Sequence, residues 1–267
     1  MAKIELDKYY TPDDLAQYCI NKTREVLSGE KVTDIIEPSA GAGAFTKLLP
    51  EHLTTSYDIA PEDENIIKQD YLLLELPYKK GRLIIGNPPY GKGNYLSVKF
   101  YKKAIAQGDF ISFILPISQL HNNMYMYEFD MIHSEDLGKR SYSGVMVHCV
   151  LNIYKRNPHG YNSKPNYDLK DVVLKGVATG KSRNDKVPNE YDFSICGFGS
   201  SVGKFSDKEG QYCQQIYFTI NRAELKEEII DLIKNVDWKK LHNMTASPKL
   251  KHWMISKYLK EQLPQLD

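Results

Sequence analysis

Asp34-Ile-Ile-Glu-Pro-Ser-Ala-Gly-Ala-Gly-Ala-Phe45 is the stretch from which the fold is read. A short apolar run, Val32–Glu37, has the length and β-branched content of a buried strand. The Pro38–Ala44 segment that follows cannot continue it, and predicts a glycine turn leading into a helix. Gly41 and Gly43 let the backbone pass close to a ligand. The spacing begins like a dinucleotide fingerprint, but Thr46 stands where a third glycine belongs. Glu37 ends the strand, where an open α/β sheet places its ligand crevice. A carboxylate there disfavours a pyrophosphate and suits the cationic amino group of a methionine moiety.

Two further acids follow at strand ends. Asp58 closes the run Ser56–Ile59, 21 residues beyond Glu37, near the offset at which a carboxylate reaches ribose hydroxyls. Asp70 closes Ile66–Gln69 and is placed to accept from an adenine amino group. Three acids at successive strand ends behind a glycine turn point to an adenosyl ligand.

Arg82–Gly86 reads as another buried strand, and Asn87-Pro88-Pro89-Tyr90 sits directly behind it. The two prolines fix the backbone and lack amide donors, so local carbonyls are left as acceptors. The Asn87 amide oxygen and the Pro88 carbonyl can together accept from one amino group. Drawing both N–H bonds out of a ring plane makes such a nitrogen more nucleophilic. Tyr90 offers a face for stacking a planar base.

These motifs together resemble the amino-group DNA methyltransferases, specifically the N6-adenine type with a gamma-like motif order. The similarity runs through residues 9 to 156. Tyr9-Tyr10-Thr11-Pro12 resembles the segment that contacts the methionine carboxylate, Glu37–Phe45 the cofactor loop, Asn87–Tyr90 the catalytic motif, and Phe113–Pro116 a later sheet strand. The resemblance implies a seven-stranded Rossmann-like sheet with one antiparallel strand, and S-adenosylmethionine as cofactor. It implies cofactor contacts from Tyr10, Thr11, Pro12, Glu37, Pro38, Ser39, Gly41, Gly43, Phe45, Asp58, Ile59, Asp70, Tyr71 and Asn87. Catalysis falls to Asn87, Pro88, Pro89 and Tyr90, and Tyr142 is expected as a second aromatic against a base flipped out of duplex DNA. A cognate restriction endonuclease is a candidate partner. The same tetrapeptide leaves three rivals open: an RNA N6-adenine methyltransferase, a release-factor glutamine methyltransferase, and a methyltransferase-like DNA-binding subunit without activity. N4-cytosine methylation is disfavoured, because its usual tetrapeptide begins with Ser.

Composition bounds the rest. The chain of 267 residues, 42% hydrophobic, suffices for one large core and a smaller attached domain. Its apolar runs fall short of the ~20 residues of a membrane span, and Met1–Asp7 carries no apolar signal core. A cytoplasmic location, in a bacterium or a phage-infected cell, is expected. Cys19, Cys149, Cys196 and Cys213 form no C-x-x-C pair and no H-E-x-x-H occurs, so reduced thiols and no metal are expected.

Asp13–Leu27 and Tyr95–Ala106 read as helices, and Phe110–Leu115 and Val145–Tyr154 as strands. This is an α/β cofactor-binding and catalytic domain over 1–156. Asn157–Tyr167 looks like a linker, rich in Asn, Pro, Gly and Ser. A smaller α+β domain over 157–267 is expected to recognise DNA, with short strands up to Tyr217 and an amphipathic helix over Ala223–Val236. It holds 17 Lys and Arg against 14 Asp and Glu, a net +3 in a chain of net +1. Lys181, Arg183 and Lys251 are its candidate phosphate contacts.

Overall fold

The computed structural model describes residues 10–142, 144–180, 183–244 and 248–266, without the side chains of 179, 180, 183 and 184. The expected contributions of Tyr9, Lys181 and the Arg183 side chain therefore lie outside the described residues. The chain divides into two compact units, Met1–Pro165 and Asn166–Asp267.

The first unit is built on a seven-stranded sheet of order β3-β2-β1-β4-β5-β7-β6. Its strands are β1 (Asp34–Glu37), β2 (Thr54–Asp58), β3 (Ile67–Lys68), β4 (Arg82–Gly86), β5 (Phe110–Pro116), β6 (Asp130–Tyr142) and β7 (Val145–Lys155). β1 to β5 run parallel to their neighbours, whereas β7 is antiparallel to both β5 and β6. This is the sheet that the sequence resemblance implies, with its one antiparallel strand.

The period-two alternation of a strand sends successive side chains to opposite faces. Ile35, Leu83, Ile85, Ile114 and Leu151 pack with Leu15, Cys19 and Ile20 of α1 (Asp13–Val26) on one face. Ile36, Ile84, Phe113 and Val150 pack with Phe100, Tyr101 and Ala104 of α2 (Tyr95–Ala104) on the other. Strands β4 and β5 are buried nearly throughout because both faces are covered, which is why they read as unbroken apolar runs.

Two expectations are corrected. The glycine turn leads into no α-helix: a single 3-10 turn, Thr46–Leu48, follows it. Pro50 is the reason, since proline has no N–H to extend a helix and disfavours helical geometry in the residue before it. β6 was not foreseen. It is a 13-residue edge strand, mostly partly exposed or exposed, so its composition is polar and shows no apolar run.

The second unit carries an antiparallel sheet of order β10-β11-β8-β9, built from β8 (Val172–Gly180), β9 (Arg183–Asn184), β10 (Phe193–Cys196) and β11 (Gln214–Ile220). Helices α3 (Lys226–Asn235), α4 (Trp238–Leu241) and α5 (His252–Gln262) complete it. Ile195, Phe218, Ile229, Ile233, Trp238, Ile255 and Leu259 form its own buried core. No helix among the described residues is long and apolar enough to cross a membrane.

Candidate active site

Parallel strands deliver their carboxyl ends to one edge of the sheet. Asp58, Glu37 and Asn87 stand at or just past the ends of the adjacent strands β2, β1 and β4, and Asp70 lies just past β3. Acids separated widely in sequence therefore share one edge.

The loop after β1 is held at both glycines. Gly41 (φ +55°) and Gly43 (φ +82°) occupy left-handed conformations that other residues adopt only with strain. The Asp58 carboxylate accepts from the Gly41 amide at 2.8 Å and from the Ala60 amide at 2.7 Å. Asp58 thus clamps the glycine loop to the end of β2, while its neighbour Ile59 is 52% exposed. The ring of Tyr10 lies over the loop: a Cβ built at Gly41 would sit 3.7 Å from it. The Tyr10 hydroxyl donates to Glu62.

Glu37 lies beneath this loop, 2% exposed. It accepts hydrogen bonds from the hydroxyls of Thr46 and of Ser56, the latter at 3.4 Å. Burial pushes its carboxyl up to about 7 against those bonds, and the like charge of Asp58 adds to the rise. A cationic ligand group beside Glu37 would reverse that shift.

Asn87 is held by two hydrogen bonds, and the turn behind it by a third. Its Nδ2 donates to Thr11 Oγ1 at 3.1 Å, and its carbonyl accepts from Ser39 Oγ at 3.3 Å. Ser97 Oγ donates to the Pro89 carbonyl at 3.3 Å, from the first turn of α2. The Asn87 Oδ1 atom is buried and has no hydrogen-bond partner among the described residues. Buried acceptors are rarely left unpaired, so this oxygen is free to accept from a ligand; Gln107 Nε2 and Gln119 Oε1 are among other buried atoms in the same state. Tyr90 is partly buried, and its hydroxyl lies 3.2 Å from Cys149 Sγ on β7.

No protein-family model matches the chain, and no curated protein does. Solved structures with a similar fold include a protein described as an RNA methyltransferase from Pyrococcus horikoshii (14% identity, 58% of this chain and 90% of that chain, TM-score 0.46). A protein described as a class I S-adenosylmethionine-dependent methyltransferase from Listeria monocytogenes is similar over 61% of this chain and 66% of its own, at 14% identity and TM-score 0.44. The N-methyltransferase NodS from Bradyrhizobium japonicum, in complex with S-adenosyl-L-homocysteine, shares 15% identity over 55% of this chain and 89% of that chain, with a TM-score of 0.40.

Three residues expected at the site are placed elsewhere. Tyr142 is 1% exposed and packs in the core with Leu137, Cys149 and Leu151; burial, with Cys149 nearby, holds its phenol far above the usual range. A ring so enclosed has no face to offer a base. Tyr71 is 1% exposed, donates to Gln107 Oε1 at 2.6 Å and stacks on Phe100. Phe45 is 2% exposed in the α1-side core. Tyr71 and Phe45 anchor the ends of site segments and do not line the ligand space. Conversely, sequence reasoning missed Thr46, Ser56, Ser97 and Cys149. Each is a small residue whose role exists only through a partner on another element, 8 to 59 residues away, and nothing in the local pattern marks it.

Proposed function

We propose that this chain transfers a methyl group from S-adenosylmethionine to the N6 amino group of adenine in duplex DNA. The observation that carries the reading is the unpartnered, buried Oδ1 of Asn87 at the carboxyl end of β4, joined to the glycine loop through Ser39. The residues present fit the cofactor: a glycine loop in left-handed conformation clamped by Asp58, an exposed Ile59 beside it, and a buried Glu37 whose nearby charge is another acid. When bound, the cofactor supplies an electrophilic methyl group.

The protein's part is position. Asn87 Oδ1 accepts one amino hydrogen of the extruded base. Thr11 holds the Asn87 amide in place by accepting from Nδ2. Ser97 fixes the proline turn that sets the height of Tyr90, whose ring supplies the stacking face. Stacking of this kind is worth ~1–3 kcal/mol per base and offsets much of the unstacking that extrusion requires. Holding the amine and the methyl carbon in line accounts for roughly 7–11 kcal/mol of barrier lowering.

The second unit is the DNA-recognition element in this scheme. The region from residue 157 onward, which contains it, carries a net +3, and this supports that role. So does a groove of about 240 Å³ whose lining includes Gly176, Gln214, Lys249, Lys251 and His252. If these cations meet phosphates, each lysine removed, Lys251→Ala for example, flattens the log affinity against log salt slope by ~0.9.

The test is to incubate the protein with isotopically labelled S-adenosylmethionine and, separately, plasmid DNA, transfer RNA, ribosomal RNA and release factor. N6-methyladenine in the DNA nucleosides is the expected product. Label in RNA or in the protein amide, with none in DNA, refutes the substrate.

A further inference from the structure

The register of the β6–β7 hairpin carries this inference, which rests on the DNA reading above. Pro116, the last residue of β5, pairs with Cys149. β7 begins at Val145, so Val145–His148 extends past the carboxyl end of β5. It pairs there with Lys139–Tyr142 of β6: Lys139 with His148, Arg140 with Val147, Ser141 with Met146, Tyr142 with Val145. A two-stranded ribbon therefore projects beyond the same sheet edge that carries Glu37 and Asn87. Its root is tied to the catalytic motif, because Cys149 is the residue that meets the Tyr90 hydroxyl. The ladder is irregular between Asp136 and Gly138, and such bulges bend a strand and re-aim what lies beyond them.

The ribbon's side chains do not serve the core at its tip. Met146 is 62% exposed and Val145 51% exposed, although both occupy strand positions. Cross-strand partners share a face, so Met146, Ser141, Lys139 and His148 stand together on one side. Tyr142 and Val147, on the opposite face, pack into the core below. Lys139 and Arg140 are exposed. On the same strand, Asp136 is paired with His148 at 2.7 Å and Glu135 with His133 at 3.0 Å. Arg140 Nε donates only weakly, to the Leu137 carbonyl at 3.3 Å. Exposed Met146 thus shares a face with Lys139, and exposed Val145 shares the other with Arg140; neither cation has a carboxylate partner among the described residues.

We propose that this ribbon is a wedge for double-stranded DNA. Met146 enters the base stack next to the extruded adenine; Lys139, on the same face, holds an adjacent phosphate, and Arg140, on the opposite face, holds a phosphate on the other side of the wedge. An apolar side chain inserted between base steps fills the gap left by an extruded base and lowers the free energy of the opened duplex. The cations fix the strand's position without reading its sequence. The charge of the tip matches a phosphate backbone.

The experiment uses the full-length chain and begins by mapping its methylated site on treated DNA. Duplexes containing that site are then compared with the target adenine paired to thymine or mispaired with cytosine. Met146→Ala is expected to slow methylation of the paired duplex by about tenfold or more, and of the mispaired duplex by less than about threefold, since a mispaired base is already easier to extrude. Lys139→Ala with Arg140→Ala is expected to weaken duplex binding and to flatten the salt slope by about 0.9 for each cation removed. Calorimetric cofactor binding, unchanged in all variants, shows that the fold is intact. Equal slowing on both duplexes, no slowing on either, or a change from dimer to monomer in the Met146 variant would overturn the wedge while leaving the methyltransferase reading in place. Absence of any DNA methylation by the unaltered chain would overturn both.

Discussion

Replacing Glu37 by Gln isolates the electrostatics of the cofactor site. The folded chain holds this carboxyl at about 7 because burial disfavours its charge, whereas an unfolded glutamate titrates near ~4.3. Between those values the folded state keeps a proton that the unfolded state has lost. The stability this contributes is complete below the unfolded value and is lost as pH rises through 7. Over the interval from pH 5 to 8 the difference amounts to about 2–3 kcal/mol. Glutamine preserves the shape and can still accept from Thr46 and Ser56, but does not titrate. Urea unfolding at pH 5, 6, 7 and 8 should therefore show Glu37→Gln gaining stability over the unaltered chain by that amount as pH rises. The same carboxyl should ionise when a cationic ligand group arrives. Titration of S-adenosylmethionine at pH 6, in buffers of different ionisation enthalpy, should show release of close to one proton per site, and none from the Gln variant. Parallel stability curves would refute the buried, protonated state of Glu37. Proton-neutral binding would refute the placing of the ligand's positive group beside it.

The division of labour at the sheet edge makes two further outcomes specific. Asp58→Ala removes the acceptor for the Gly41 and Ala60 amides and should weaken cofactor binding by roughly tenfold to a hundredfold, as expected for hydrogen bonds to a charged group. Asn87→Ala should abolish turnover while cofactor affinity stays within about threefold; equal losses of affinity in calorimetry would contradict the separate roles. Tyr142→Ala, in the core, should lower unfolding free energy by about 3 kcal/mol or more, read from the denaturant midpoint. An unaltered midpoint with a lowered methylation rate would instead return Tyr142 to the base.

The sequence by itself determined the sheet and the chemical character of its edge. Arg82–Gly86 and Phe110–Pro116 are buried on both faces, so their apolar runs declared them as strands. Asp34–Phe45 and Asn87–Tyr90 are contiguous, and short-range stereochemistry is enough to read a glycine turn and a proline-fixed turn. What failed was decided by residues outside the motifs themselves, most of them distant along the chain. Pro50 removed a helix that the glycine loop otherwise announces. Tyr71 and Tyr142 are chemically able to line a site, but the packing of α2 and of the β6–β7 ladder enclosed them. Edge strand β6 shows no apolar run because little of it is buried. Only the tertiary structure paired Asn87 with Thr11 and Tyr90 with Cys149, across 76 and 59 residues of chain. A hydrogen bond is set by a few ångströms of separation, and strand order, not residue pattern, determines which distant side chains come within that range.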